Sequence, residues 1–161
     1  MDKKRAVTQD RCWPPEVHAG PPPESPGEVV LTREIPSDEA LIPALVVRTC
    51  EFLRDSGLLV GQDDESHTAV GLEEALRNAV VHGNGRDFDR KVMLQIFVAD
   101  RVWGWIVQDE GDGFDPAAIE DGTVGDTVWA ERGRGMSIMR HFVEQLEYYD
   151  NGSTVVGTKR L

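Results

Sequence analysis

Cysteine is scarce in this chain, whose 161 residues include only Cys12 and Cys50. Two thiols so far apart in the sequence cannot build a disulfide framework or a zinc site. Cys50 stands among Leu45, Val46 and Leu53, where a small buried apolar residue is expected. The shortage of cysteine therefore favours a reducing compartment, and we expect a cytoplasmic protein.

Long apolar runs are also missing. No stretch approaches the roughly 18 residues that are needed to cross a bilayer, and residues 1–27 lack the apolar segment of a signal peptide. These first residues are rich in proline and cannot bury enough apolar surface to offset the entropy of the chain. We expect a disordered or extended tail at residues 1–27, one domain at residues 28–161, and no membrane partner.

Positive charge is the third shortage. The chain has 17 Lys and Arg against 29 Asp and Glu, and its formal net charge is −12. Nucleic acid binding needs a basic surface, so we expect no nucleic acid partner. A phosphate group would have to be held locally by a metal ion, by backbone amides or by a few arginines. The sequence contains neither a P-loop nor a complete Rossmann glycine fingerprint, which excludes the two commonest phosphate-binding loops.

Apolar patterns predict the elements of the fold. A β-branched run at residues 28–35 closed by Pro36 predicts a strand, and helical spacing predicts helices that begin near residue 43 and near residue 63. The second of these helices is expected to end near residue 81. Residues 91–99 and 102–108 predict a hairpin, a further helix is expected from Gly135 through Leu146, and Asn151-Gly152 predicts a tight turn in a final hairpin.

Three polar and glycine-rich clusters follow one another along this framework. They are Glu74-Ala-Leu-Arg-Asn78 running into His82-Gly83-Asn84, then Asp109-Glu-Gly111-Asp-Gly113-Phe114, then Gly133-Arg-Gly135-Met136. Glu74 and Asn78 lie one helical turn apart, whereas the neighbouring acid Glu73 lies about 100° away around the helix. Each cluster alone occurs by chance, because Asp and Gly also build ordinary turns. Their fixed order is much harder to obtain by chance and indicates a nucleotide site.

In this order the clusters resemble the N, G1 and G2 boxes of the GHKL ATPase superfamily. The resemblance implies an α/β two-layer sandwich, in which helices cover one face of a mixed, mainly antiparallel sheet, with ATP and Mg²⁺ as ligands. It implies that Glu74 orients or deprotonates the hydroxyl that attacks the γ-phosphate, that Asn78 binds Mg²⁺, and that Asp109 accepts a hydrogen bond from the adenine amino group. The other nucleotide-binding residues that it implies are His82, Gly83, Gly111, Gly113, Phe114, Arg132, Gly133, Arg134, Gly135, Met136 and Thr154.

Some of these residues have an alternative role. His82 is either a phosphate contact or a charge at the end of a helix. Arg132 and Arg134 either face the γ-phosphate or are solvated side chains of the lid between the G1 and G2 boxes, since many relatives carry other residues there. Thr154 either supports Asp109, as in the superfamily, or is an ordinary strand residue.

Within the superfamily, the N box E-E-A-L-R-N-A-V-V-H-G-N, the G1 box D-E-G-D-G-F-D-P and the short lid resemble the anti-sigma-factor serine/threonine kinases. This resemblance implies a protein kinase that phosphorylates a STAS-type anti-anti-sigma protein and binds a sigma factor, with a second copy of the chain as a further candidate partner. Two alternatives stay open, which are an ATP-dependent partner-binding module without phosphoryl transfer and a stand-alone ATPase.

Overall fold

A computed structural model describes residues 16–23, 26–113 and 143–161. Six strands in these ranges form one sheet in the order β1-β5-β6-β4-β3-β2. Their bounds are Glu16–Val17 for β1, Glu28–Pro36 for β2, Lys91–Val98 for β3, Val102–Gln108 for β4, Gln145–Tyr149 for β5 and Thr154–Arg160 for β6. β1 is parallel to β5, and all the other neighbouring pairs are antiparallel. The predicted mixed, mainly antiparallel sheet is therefore confirmed.

Two helices are described, α1 at Ile42–Asp55 and α2 at Gly61–Arg77. A short 3₁₀ turn at Glu39–Leu41 precedes α1, and Pro43 occupies the first turn of the helix, where a missing amide hydrogen breaks no bond. α2 continues into a π-helix at Asn78–Gly83. The predicted helices near residues 43 and 63 are thus present, and the second one widens where its polar cluster begins.

The main core lies between the helices and one face of the sheet. Alternate residues of each strand point to the same face. On the helix side these include Leu94 and Ile96 of β3 and Trp103 and Trp105 of β4, which belong to one buried cluster with residues of both helices. Cys50 lies in this cluster as expected, and burial raises the pKa of its thiol to about 11. The core is therefore a two-layer α/β core, as the fold class requires.

A second, smaller cluster lies on the other side of the sheet. Phe97, Ile106, Tyr149 and Val156 come from four different strands and are all buried. They occupy the alternate positions to those that face the helices. Both faces of the central strands are therefore shielded from water at these positions.

A polar contact joins α2 to the end of the sheet. The Lys159 ammonium of β6 donates to Asp64 and, at 3.2 Å, to Thr68 Oγ1, both in the first half of α2. The same ammonium lies 5.8 Å from the ring centroid of Trp103. This contact fixes the beginning of α2 to the sheet about ten residues before Glu74.

The structure corrects one predicted boundary. Leu146 was expected in the helix after Gly135, but it lies in β5, where it and Tyr148 both point into the main core. Leu146 lies three residues after Val143, which fits a helix, and two residues before Tyr148, which fits a strand. The hydrogen-bonded pairing of this segment with β6 makes it a strand. The predicted turn is confirmed, with positive φ at Asn151 and Gly152.

Residues 16 and 17 form β1 within the segment expected to be a disordered or extended tail, while residues 1–15 lie outside the described ranges. Among the helices that the structure describes, none has the length and apolar character that a membrane span requires.

Candidate functional site

Glu74 and Asn78 lie where α2 passes into the π-helix. At about 1.5 Å per residue, the two side chains are about 6 Å apart along the helix axis. The side chain of Glu74 is 17% exposed and that of Glu73 is 46% exposed, so Glu74 is the acid that faces the protein. Arg77 contacts both acids, with 2.8 Å from Nη1 to Glu74 Oε1 and 2.6 Å from Nη2 to Glu73 Oε1. Arg77 was not among the predicted site residues, although its spacing of three residues from Glu74 is one that allows side-chain contact.

The amide of Asn78 is buried and has no side-chain hydrogen-bond partner among the described residues. The residue is only 9% exposed, and no hydrogen bond to its side chain is found in the part of the chain that the structure describes. A buried polar group without a partner costs roughly 1–3 kcal/mol, so native proteins seldom keep one without a reason. An amide oxygen is one of the hard ligands that Mg²⁺ accepts together with phosphate oxygens and water. The unpartnered amide therefore fits the expected metal ligand.

The end of the π-helix touches the segment that follows β4. A Cβ atom on Gly83 would lie 2.1 Å from Asp109 Oδ2, and a Cβ atom on Gly111 would lie 2.1 Å from the Gly83 carbonyl oxygen. Only glycine permits this close approach at both positions. The Gly111 amide donates to Asp109 Oδ1 at 2.8 Å, and Asp109 itself is buried. The first two polar clusters thus meet around the carboxylate of Asp109.

Asn84 joins the same two clusters by its side chain. Its Nδ2 donates to Ser37 Oγ at 2.8 Å and to the Lys91 carbonyl at 3.0 Å, while its Oδ1 accepts from the Glu110 amide at 2.8 Å. The residue is only 3% exposed. This role of Asn84 was not predicted, because an asparagine after a helix is common in any turn. No local feature of the sequence identifies its partners.

The turn between β5 and β6 borders Asp109 from another side. The Asp109 amide donates to the Ser153 carbonyl at 2.9 Å. Gly113 has a φ of 80°, and a Cβ atom there would lie 2.1 Å from the Asn151 carbonyl oxygen. The turn therefore fixes the backbone of the G1 box at both Asp109 and Gly113.

Two roles were left open for Thr154, support of Asp109 or an ordinary place in a strand. Its hydroxyl donates to Asp150 Oδ2 at 2.8 Å. The short 3₁₀ turn at Asp150–Gly152 brings the Asp150 carboxylate back over the first residue of β6. It is the backbone of Ser153 that contacts Asp109.

The remaining predicted site residues divide into two groups. His82 is half-buried in the π-helix. The others lie outside the described residues and are Phe114, Arg132, Gly133, Arg134, Gly135 and Met136. The described part of the site consequently comprises the N box, the beginning of the G1 box and the β5–β6 turn.

The sequence model of the histidine kinase-like ATPase domain matches residues 35–159, more than half of the chain. The chain belongs to this family. No match was found among the curated proteins. The resemblance to the GHKL superfamily is thereby confirmed, and histidine kinase-like ATPase domains bind ATP, usually with Mg²⁺.

The side chains around Asn78 suit a metal that is shared with the nucleotide. In the described ranges, no group of three or more His, Cys, Asp and Glu side chains is arranged to hold a metal ion. The Asn78 amide oxygen together with phosphate oxygens and water is a ligand set that suits the octahedral coordination of Mg²⁺.

Proposed function

We propose that this ATPase domain is a protein serine/threonine kinase of the anti-sigma-factor type. It transfers the γ-phosphoryl group of ATP to a STAS-type anti-anti-sigma protein, and it also binds a sigma factor. The observation that carries the proposal is the buried amide of Asn78, which has no partner in the described ranges, lies one helical turn from Glu74 and is on the segment that ends against Asp109. Phosphoryl transfer depends chiefly on positioning and charge neutralisation, and these residues supply both.

Glu74 is the proposed general base. Its Oε1 is held by Arg77, while no partner is found for Oε2 among the residues that the structure describes. In the proposed step, the serine or threonine oxygen of the partner bonds to the γ-phosphorus, the bond from that phosphorus to the bridging oxygen breaks, and ADP leaves. The hydroxyl proton passes to Glu74 Oε2.

Asn78 and Asp109 bind the two ends of the nucleotide in this proposal. Asn78 Oδ1 is the protein ligand of Mg²⁺, which when bound neutralises charge on the phosphates. Asp109 accepts a hydrogen bond from the adenine amino group. Guanine has a carbonyl at the corresponding position, so the buried carboxylate would repel it. ATP is therefore preferred over GTP.

The acidic surface is consistent with a regulatory role between proteins. With a net charge of −12, the domain offers no general affinity for nucleic acid, so any effect on transcription passes through protein partners. Phosphorylation adds up to about two negative charges and three acceptor oxygens to the STAS partner. Such a change at a contact surface releases one partner and leaves this domain free to bind the sigma factor.

One observation favours a second candidate function. The Arg77 guanidinium contacts both Glu74 and Glu73, and a Glu74 carboxylate held in this ion pair is not free to turn towards a substrate hydroxyl. If the pair persists with ATP bound, the domain is an ATP-dependent binding module that captures its partner without phosphoryl transfer.

Labelled Mg-ATP with purified candidate STAS proteins tests the proposal. We expect label on the STAS protein with the wild type and with the matched control Glu73→Gln. We expect at least about 100-fold slower transfer with Glu74→Gln at unchanged ATP affinity, because only the base is removed.

The other outcomes are distinct. ATP binding without transfer to any STAS protein would support the binding module, and label released only as phosphate would support a stand-alone ATPase. Loss of ATP binding in Asp109→Asn, together with transfer in the wild type, would support the assignment of the adenine pocket.

A further inference from the structure

Residues 16–20 lie outside the matched range of 35–159, yet they are bonded to the turn that borders Asp109. β1 pairs in parallel with β5, and the His18 amide donates to the Tyr148 carbonyl at 2.9 Å. Beyond the strand, the Asn151 amide donates to the His18 carbonyl at 3.2 Å, and the Asp150 amide donates to the Gly20 carbonyl at 2.9 Å. The segment therefore binds both β5 and the turn that follows it.

The side chain of His18 adds a second attachment. Its ring stacks on the ring of Tyr149, with centroids 4.7 Å apart and planes inclined by 19°. Tyr149 belongs to the smaller buried cluster on the outer face of the sheet. A stacked aromatic pair contributes beyond the area that it buries, so the segment is anchored to a rigid part of the fold.

The turn needs such support. Asp150, Asn151 and Gly152 are three successive residues with positive φ, at 52°, 57° and 99°. The first two pay a steric penalty that glycine does not. Their backbone amides are the two that residues 18 and 20 accept from, so the N-terminal segment stabilises the turn in its unfavourable conformation.

The β5–β6 turn also fixes the position of the G1 box through two contacts. Ser153 accepts the hydrogen bond of the Asp109 amide, and the Asn151 carbonyl lies against Gly113. Relaxation of the turn would displace both of these carbonyl groups. The carboxylate of Asp109 would then lose the orientation that adenine recognition requires.

We propose that residues 16–20 are a positioning segment of the adenine pocket, acting through the β5–β6 turn. The inference rests on the proposed role of Asp109 in adenine binding. Its consequence is that the N-terminal residues of this protein are part of what sets ATP affinity and base preference.

Two truncations of the chain separate the segment from the residues before it. Deletion of residues 2–15 keeps β1, and deletion of residues 2–23 removes it while leaving the matched range intact. Calorimetry should give the first truncation the wild-type Kd for Mg-ATP. The second should show a Kd raised by about tenfold, within the usual size of coupling between sites.

A base-selective readout distinguishes positioning from general stabilisation. The ratio of Kd values for purine riboside triphosphate, which lacks the amino group, and ATP reports on the contact with Asp109. We expect this ratio to fall towards one in the longer truncation. Lower thermal stability with an unchanged ratio would overturn the proposal.

A point substitution in the untruncated chain tests the same contact without the risk that a truncated chain misfolds. His18→Pro removes the amide hydrogen that bonds to Tyr148, and it should reproduce the longer truncation. The truncation that lacks residues 2–15 serves as the control for this substitution, because it keeps β1 and the bond from the His18 amide to Tyr148. Wild-type Kd and ratio in His18→Pro would contradict the proposal.

Failure of the proposed function gives a different pattern. If the wild type itself does not distinguish ATP from purine riboside triphosphate, the role of Asp109 is wrong. If the wild type distinguishes them and the longer truncation does so equally well, only the positioning role of residues 16–20 is wrong.

Discussion

The two ends of α2 treat their polar side chains differently. Near the beginning, Asp64 and Thr68 bond to Lys159 of β6, and Glu65 bonds to Arg54 of α1 at 2.9 Å. At the other end Arg77 pairs with Glu73 and Glu74, but the buried amide of Asn78, the first residue of the π-helix that continues α2, has no partner among the described residues. One end of the helix satisfies its polar groups within the protein, and the other leaves an amide available to a ligand.

This difference means that polar side chains near the beginning of the helix serve stability, whereas Asn78 serves ligand binding. A satisfied polar contact stabilises the fold, whereas a buried amide without a partner destabilises it until a ligand binds. Substitutions at the two ends should therefore have opposite consequences. Five predictions test that contrast, beginning with the largest expected effect.

Asn78→Ala should reduce Mg-ATP affinity and turnover by at least about 100-fold, because the metal loses its protein ligand. The ligand-free protein should be as stable as the wild type or about 1 kcal/mol more stable, since an unpartnered amide is replaced by the best helix former. Calorimetry with Mg-ATP and thermal melting of the ligand-free protein measure the two effects. Clear destabilisation of the ligand-free protein would show that the amide has a structural partner after all.

Asn84→Ala should lower both the free energy of unfolding and the affinity for ATP, since the Asn84 side chain makes three hydrogen bonds and lies next to Asp109. It leaves three polar groups without their partner and should cost roughly 2–3 kcal/mol of unfolding free energy. ATP affinity should also fall, because the Glu110 amide beside Asp109 loses its acceptor. Urea unfolding and ATP titration provide the measurements.

Ser37→Ala is the matched control for Asn84. It removes one partner of the Asn84 amide and leaves the bond to Glu110 in place. We expect a loss of about 1 kcal/mol in stability at wild-type ATP affinity. Equal effects of both substitutions on ATP binding would argue against the role of the Glu110 contact.

Lys159→Met should lower stability by about 1 kcal/mol and leave ATP binding unchanged. The substitution removes the ammonium that bonds Asp64 and Thr68 while keeping an apolar chain against Trp103. A double-mutant cycle with Asp64→Asn isolates the energy of the pair. A large change in ATP affinity would mean that the two ends of α2 are coupled.

The smallest effect concerns pH. Burial opposes ionisation of Asp64, but the hydrogen bond from Lys159, with further help from the Val60 amide and nearby positive charge, holds its pKa below the usual value. A carboxyl with a lowered folded pKa contributes stability that is complete above the unfolded pKa of about 3.9 and is lost as pH falls through the folded pKa. The difference in urea midpoint between wild type and Asp64→Asn should therefore be constant near neutrality and shrink in acid. A difference that grows in acid would contradict the sign of this linkage.

Much of the fold was predictable because its elements have strong local patterns. The β-branched run of β2, the hairpin of β3 and β4, and the Asn151-Gly152 turn depend on neighbouring residues alone. Leu146 was wrongly assigned to a helix because its spacing from neighbouring apolar residues fits both the helical period and the strand period. β1 was not predicted because a strand of two residues is too short to show an alternating pattern. Only its pairing with β5 identifies it as a strand.

The site was partly predictable for the same reason. Helical spacing placed Glu74 and Asn78 one turn apart, and the end of a strand placed Asp109. Asn84 was not predictable, because its partner Ser37 is 47 residues away and its partner Glu110 is 26 residues away. The partner of Thr154 was not predictable either, because the shape of the preceding turn, rather than the residue type, brings Asp150 to its hydroxyl.

The π-helix places one extra residue between Asn78 and the glycine that meets Asp109. The Asn84 amide bonds to the carbonyl of Ala79, five residues earlier, instead of the four of an α-helix. Removal of a single residue from this stretch would narrow the turn to the α-helical repeat and leave the residues after it at nearly the same angle around the axis, because five residues of a π-helix turn about as far as four of an α-helix. In evolutionary terms, the wide turn is therefore an insertion that the helix absorbs locally, without changing the direction in which the chain continues towards Asn84.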